Sequence, residues 1–347
     1  MGKKQKYTGF AIALAWPQTW CKQPGAWYDP LTSFLGFSSN NYYQVGHAAV
    51  VLVDASNRKC HYFDFGRYHA PFQFGRVRGA ETDHELAMKT TPVISVNGKR
   101  IKNMEPILAE LQNNPACHGD GELYASWSPV NFEAAFSRAM RMQQESSIAY
   151  GPLRARGSNC SRFVNTVIRS GNPPLKYRLK LKFFVPLTPT PMNNVNALEG
   201  HTTMKSFILN EPFHPVIRLP KTALRRTLPE PFRHKNIPEN ALWLAGEGAG
   251  SWFVLNFRGA FLEATRFSIK GIKECSGLFI SGNNEFALAP GTFEITYASH
   301  CKVITLLARK KKLVYKRVPN AFQIPSTKSA KRVFSKEFEK IVSQNLN

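Results

Sequence analysis

Acidic side chains are scarce in this chain. Its 23 Asp and Glu face 46 Lys and Arg, for a formal charge of +23 and a pI near 9.9. Such a surface repels cationic partners and favours nucleic acid, a membrane surface or an acidic glycan, although excess charge also serves plain solubility. Cysteine is sparse as well: six residues, at positions 21, 60, 117, 160, 275 and 301, with no C-x-x-C pair. That argues against a disulfide scaffold and suits free, buried thiols in a reducing compartment, so a soluble, cytoplasmic protein is expected. No stretch reaches the roughly 20 apolar residues that a membrane-spanning helix needs. The apolar run at 10–16 follows a basic start and imitates a signal peptide. It is short, however, and leads into Pro17 and Trp20 without a small-residue cleavage site, so it reads as a buried first strand. Lys6 stands where a Gly2 myristoylation signal needs Ser or Thr. No internal repeat is present.

What is present is enough apolar material, 43% of 347 residues, to bury a sizeable core, on a length that suggests two domains or one large one with an appendage. After the strand at 8–16 and an aromatic-rich loop, residues 47–53 form a short run rich in β-branched side chains. A polar turn at 54–58 and a returning strand at 60–65 complete a hairpin. Short strands and turns are expected over 66–120, with a short helix at 104–113. Ser128-Pro129 marks a helix start, followed by Phe132, Ala135, Phe136, Ala139 and Met140 at helical spacing. A second helix opens at Cys160, capped by Ser158 or Asn159 and ended by Gly171. From 172 to 240, proline and basic residues prevail without periodicity, as in wrapping loops and a linker. The runs at 241–246, 251–257, 261–269, 276–281, 285–288, 292–298, 302–308 and 312–317, divided by turns, suggest a small β-barrel or sandwich. Phe334, Phe338, Ile341 and Val342 share one face of a basic amphipathic helix over 327–345. The expected division is a first domain at 1–215, a linker at 216–237, a β-rich domain at 238–320 and a C-terminal helix at 321–347.

Chemistry concentrates on Cys160. A thiolate is the nucleophile, and a cysteine in the first turn of a helix has its pKa lowered by unpaired backbone N–H groups and the helix dipole. The same N–H groups suit an oxyanion. An imidazole must then take the proton and return it to the leaving group. His47 opens a strand directly after Gly46, where a side chain projects from the sheet end. A third polar group normally fixes the imidazole's orientation. With the turn centred on 55–58, residue 49 faces residue 64, which leaves Asp64 diagonal to His47; His61 and His69 are its competitors.

Gly46-His47-Ala-Ala-Val-Val followed by Asn159-Cys160-Ser-Arg-Phe-Val164 resembles the permuted branch of the NlpC-type papain-like superfamily, which includes lecithin:retinol acyltransferase-like enzymes and related amidases and peptidases. Ordinary NlpC enzymes place the cysteine helix before the histidine strand; here the order is reversed. The resemblance spans residues 8–185, and the whole chain also resembles a bacterial family that joins such a domain to a β-rich one. It implies an α+β fold: a permuted papain-like domain followed by a small all-β barrel or sandwich. Acyltransferase-like members usually carry a second histidine; Asp64 on the matching strand counts against a lipid acyltransferase.

Other features carry less. Cys60-His61, Cys117-His118 with Asp120, and Cys275 with His300-Cys301 match no zinc spacing, so neither metal nor cofactor is expected. Gly246-Glu-Gly-Ala-Gly250 lacks the residues of a phosphate loop and reads as a hairpin turn. Arg154, Arg156, Arg162, Arg169, Lys176, Arg178, Lys180 and Lys182 form one basic cluster. Arg309 to Lys312 with Lys316 and Arg317 form a second. The expected function is a thiol-dependent hydrolase or acyl-transfer enzyme cleaving an amide or ester, its substrate anionic where the basic residues contact it. Cys160 is the nucleophile, His47 the base and acid, and Asp64 the orienter. Arg162, Tyr43, Trp27 and Asn159 contact substrate, with Tyr42 near the approach. The alternative is a non-catalytic protein binding nucleic acid or anionic lipid through the basic clusters.

Overall fold

The computed structural model describes residues 7–319 except 28, 37, 146, 152–153, 155, 186–189, 206–212, 219, 225–226, 259–260, 282–287 and 289–290. The helix expected over 327–345, and residues 285–287 of the run at 285–288, lie outside the described residues.

In chain order the elements begin with β1 (Gly9–Trp16), β2 (Cys21–Lys22), α1 (Asp29–Phe34), β3 (Ser38–Ser39), β4 (Tyr42–Tyr43), β5 (His47–Asp54), β6 (Lys59–Gly66) and β7 (Phe74–Gly79). Next come α2 (Met104–Gln112), β8 (Leu123–Val130), α3 (Phe132–Glu145), β9 (Ile148–Ala149) and α4 (Cys160–Ser170). Then α5 (Leu175–Leu179) runs into a π-helical turn (Lys180–Phe184), followed by α6 (Pro191–Asn196) and β10 (Glu199–Met204). The remaining strands are β11 (Leu242–Leu244), β12 (Ser251–Arg258), β13 (Phe261–Phe267), β14 (Lys273–Ser281), β15 (Glu294–Thr296), β16 (Val303–Ala308) and β17 (Lys311–Arg317).

The first sheet has the order β10-β8-β1-β5-β6-β7-β9, with its paired strands antiparallel. Every residue of β1 and β5 is buried, which explains why both read as continuous apolar runs: layers cover both faces. On one face Ala11, Ala13, Ala15, Ala48, Val50 and Leu52 pack under α3, α4 and α6; the alanines are small enough to let helices approach. On the other, Phe10, Ile12, Leu14, Val51 and Tyr62 pack against α2. Each fully buried Val or Leu contributes about 1.5–3 kcal/mol. The second sheet runs β11-β12-β13-β14-β17-β16-β15 around its own core, and β11 and β15 approach each other, so it is nearly closed and barrel-like. Tyr297 after β15 hydrogen-bonds the Ala245 carbonyl after β11.

The hairpin turn at 245–250 inserts beside the β6–β7 loop. Tyr68 bridges Ala249, the His69 N–H donates to the Ala249 carbonyl at 3.2 Å, and Glu247 pairs with Arg67.

Four expectations need correction. The long helix starts at Phe132, not after Ser128-Pro129. Those two residues lie in β8, where the β10 pairing stops at Trp127 so that Pro129 owes it no N–H, and Asn131 Oδ1 caps the helix by accepting from the Ala134 N–H at 2.9 Å. Within 66–120 the chain forms β7 and α2 joined largely by turns and short 3₁₀ segments, rather than a succession of strands. The stretch 172–240 contains α5, α6 and β10, and β10 completes an edge of the first sheet. Finally, Cys275 and Cys301 form a disulfide, because β14 and the turn before β16 bring them to a Cα separation of 5.9 Å; Cys21, Cys60, Cys117 and Cys160 are free.

Candidate active site

Gly46 sets the geometry at the sheet end. Its φ is +72°, and a Cβ there would lie 2.8 Å from the Trp16 carbonyl oxygen, so only glycine turns the chain this tightly into β5. His47 follows, opposite Trp16 in the β1–β5 pairing, and the indole stacks on the imidazole with ring centroids 5.9 Å apart. Trp16 Nε1 is itself anchored, donating to Gln112 Oε1 at 2.8 Å.

Ala49 pairs with Asp64, so Asp64 lies diagonal to His47, and its Oδ2 is 3.3 Å from His47 Nε2. Asp64 also sits directly across from Arg78 on β7. Arg78 Nε donates to Oδ1 at 2.9 Å and Nη2 to Oδ2 at 2.5 Å, while the Tyr62 hydroxyl donates to Oδ2 at 3.1 Å. Burial would raise this carboxyl's pKa. The Arg78 charge and the hydrogen bonds from His47 and Arg78 outweigh it and hold Asp64 well below the usual carboxylate range.

Cys160 opens α4. Asn159 caps that helix, its Oδ1 accepting from the Arg162 N–H at 2.7 Å. The half-buried thiol lies 3.8 Å from Ser161 Oγ and is within electrostatic reach of His47 and of the Ala48 backbone N–H. With Nε2 committed to Asp64, Nδ1 is the ring nitrogen left for the sulfur. Burial alone would raise the thiol's pKa. His47, through its hydrogen bond and its charge, lowers it instead, aided by hydrogen bonding from Ser161 and the Ala48 backbone. His47 moves the opposite way: burial works against its charge, but the hydrogen bonds and charges of Asp64 and Cys160 lift it to about 9. The two shifts favour a thiolate–imidazolium pair. The other free cysteines differ, because burial pushes Cys21, Cys60 and Cys117 up to about 12.

The other expected contacts scatter. Trp27 is 79% exposed and, with Gln73, Tyr150 and Arg154, lines a groove of about 230 Å³. Burial and the nearby Cys160 charge raise the pKa of Tyr150, one of the groove's residues. Tyr43 is buried in the small β2–β4–β3 sheet, its hydroxyl donating to Asp29 Oδ1 at 2.8 Å, and Tyr42 meets Phe213 edge to face. Arg162 Nη1 donates to the Gly157 carbonyl at 3.1 Å. Of the competitors to Asp64, His61 packs on Phe132 and Phe136, and His69 joins Arg76 and Ser251. Among the described residues no group of three or more His, Cys, Asp or Glu is arranged to hold a metal ion.

Arg78 and Tyr62 are the members of the site that motif and spacing do not single out. Tyr62 shares a β6 face with Asp64, a period-two signal that could have found it. Arg78 is legible only as one of two alternating arginines in Gly75-Arg-Val-Arg-Gly79, since nothing local aligns β7 with β6.

Residues 11–174 match the family model described as Type VI secretion system effector TseH-like, and residues 241–318 match the DUF6695 C-terminal domain. The crystal structure of the Type VI secretion system effector TseH aligns at 17% identity with a TM-score of 0.38, covering 57% of this chain and 93% of that one. A comparison with curated proteins finds no match.

Proposed function

We propose that this chain is a thiol-dependent hydrolase or acyl-transfer enzyme with a papain-like site in permuted order, cleaving an amide or ester. The observation that carries the reading is that His47 is hydrogen-bonded to Asp64 on one side and coupled electrostatically to Cys160 on the other. The Cys160 thiolate attacks the carbonyl carbon, and the oxyanion forms against the backbone N–H groups that open α4. Protonated His47 gives its proton to the leaving amine or alcohol as the C–N or C–O bond breaks, leaving a thioester. Neutral His47 then takes a proton from water, or from an acceptor alcohol or amine, which attacks the thioester. The C–S bond breaks, the acid or transferred acyl product leaves, and the Cys160 thiolate–His47 imidazolium pair is restored. Asp64, fixed by Arg78 and Tyr62, stabilises the imidazolium and holds its orientation.

The match of residues 11–174 to an effector family supports secretion as the setting for this chemistry, and the Cys275–Cys301 disulfide favours an oxidising compartment over a cytoplasmic one. Iodoacetamide labelling at neutral pH, read by peptide mass spectrometry, tests the site. Cys160 reacts before the other cysteines, and His47→Ala slows its labelling by at least about 10-fold by removing the group that lowers the thiol's pKa. Labelling of Cys160 that is unchanged in His47→Ala sinks the dyad.

A further inference from the structure

A second feature shares no residue with the thiol site. An open groove of about 870 Å³ runs between α3, α4 and the α5 segment, lined by Arg138 and Arg141, by Arg169, and by Arg178, Lys182 and Phe183. No acidic side chain lines it, and among the described residues none of those five cations is ion-paired with a carboxylate. Arg169 lies nine residues along α4 from Cys160, about 14 Å at the helical rise.

The wall formed by α5 and its π-helical turn, Leu175-Lys-Tyr-Arg-Leu-Lys-Leu-Lys-Phe-Phe184, is amphipathic in an uncommon way. Tyr177 and Leu181 are buried and pin the segment to the core, and the Tyr177 hydroxyl bonds Glu199. Leu175, Leu179 and Phe183 recur at a spacing of four and stay exposed, at 58%, 41% and 64%, beside Phe184 at 80%. Lys176, Arg178, Lys180 and Lys182 alternate with them.

We infer that this face docks on the anionic surface of a lipid bilayer. The five groove cations complement acidic headgroups, and the Leu and Phe ridge beside them suits shallow insertion at the headgroup–acyl boundary. Nucleic acid would use the cations and could stack on the phenylalanines, but it gives Leu175 and Leu179 no partner. The reading is independent of the chemistry at Cys160.

Sedimentation of the full chain with phosphatidylcholine vesicles, with or without phosphatidylglycerol, tests it. The protein pellets with the anionic vesicles, stays in solution with the neutral ones, and is released by salt. Arg178→Glu with Lys182→Glu lowers partitioning by about 30-fold, and Arg138→Glu with Arg141→Glu, on the opposite wall, acts alike without touching α5. Phe183→Ser with Phe184→Ser lowers it by about 10-fold. Iodoacetamide labelling of Cys160 stays at the parent rate in all three pairs, because none of the substituted side chains is among the groups that set the thiol's pKa. Equal pelleting on neutral and anionic vesicles overturns the inference. So does binding that ignores the phenylalanine pair while a single-stranded oligonucleotide displaces the vesicles, which would make nucleic acid the occupant.

Discussion

His47 and His69 are both buried histidines of the β5–β7 region, and each stands beside an arginine and an aspartate. The order of the charges is reversed. At the first, the imidazole meets Asp64, and Arg78 lies beyond the carboxylate. At the second, the imidazole meets Arg76 at 3.2 Å, and Asp83 lies beyond the guanidinium, shared with Arg266. Arg76 and Arg78 are two residues apart on one face of β7, so a single strand supplies both arrangements. The outcomes diverge. His47 is lifted to about 9, whereas burial and the charges of Arg266 and Arg76 hold His69 well below its ordinary value. Burial therefore does not decide whether a histidine can act as an acid near neutral pH. The sign of its nearest neighbour does.

If the second cluster is purely structural, its carboxylate is where most stability resides. Asp83 accepts both Arg76 Nη groups at 2.7 Å and also meets Arg266, which joins the two sheets. Asp83→Ala strands Arg76 in the interior without its carboxylate and leaves Arg266 with Glu274, Glu85 and the Thr82 carbonyl. The expected cost is about 3–5 kcal/mol in a denaturant titration. Under native conditions the labelling rate of Cys160 stays that of the parent. A fall in labelling that matched the loss of stability would mean that the two clusters are not separate.

The corresponding change at the first cluster acts on reactivity. Asp64→Asn keeps an oxygen for Arg78 but removes the charge facing His47. The imidazole pKa then falls from about 9 towards its ordinary value, and the thiol pKa rises as its imidazolium partner is lost. Labelling at neutral pH slows by about 10-fold, equal to about 1.4 kcal/mol. In the parent the pair exists between the lowered thiol pKa and about 9, so activity declines on the alkaline side near that value; in Asp64→Asn that limb moves to lower pH. An alkaline limb left in place would remove Asp64 from the role of orienter.

Much of this geometry is legible in the amino-acid sequence. The hairpin register follows from one polar turn between two apolar runs, and it alone places Asp64 diagonal to His47. The α4 start follows from Asn159 ahead of a helical apolar pattern. Other parts resist for physical reasons. β10 is a largely exposed edge strand of polar residues with a bulge, so it lacks the alternation that marks a strand. Arg78 reaches Asp64 only through pairing across an irregular loop that contains Pro71 and positive φ at His69 and Gln73. Cys275 and Cys301 are 26 residues apart, and no spacing rule predicts which of six cysteines pair.

The smallest effect tests the comparison most finely. Arg76 donates to His69 Nδ1, so Nε2 carries the proton and donates to Ser251 Oγ at 2.6 Å, and that hydroxyl donates onward to Glu274 at 3.3 Å. A glutamine amide offers the same pair, an accepting oxygen and a donating N–H, so His69→Gln costs at most about 1 kcal/mol above neutral pH. Its signature is in the pH dependence. A histidine whose folded pKa is depressed contributes stability above about 6.5 and loses it as pH falls, because the unfolded chain binds the proton that the folded one refuses. His47, raised in the fold, has the opposite sign: its contribution is complete below about 6.5 and is lost as pH rises through about 9. Denaturation midpoints measured from acid to alkaline pH should therefore show His69→Gln flattening the acid limb alone, with the alkaline limb and Cys160 labelling unchanged. An alkaline limb that moved in His69→Gln would show that the histidines titrate as one system, and the division of β7 between a reactive site and a structural joint would fail.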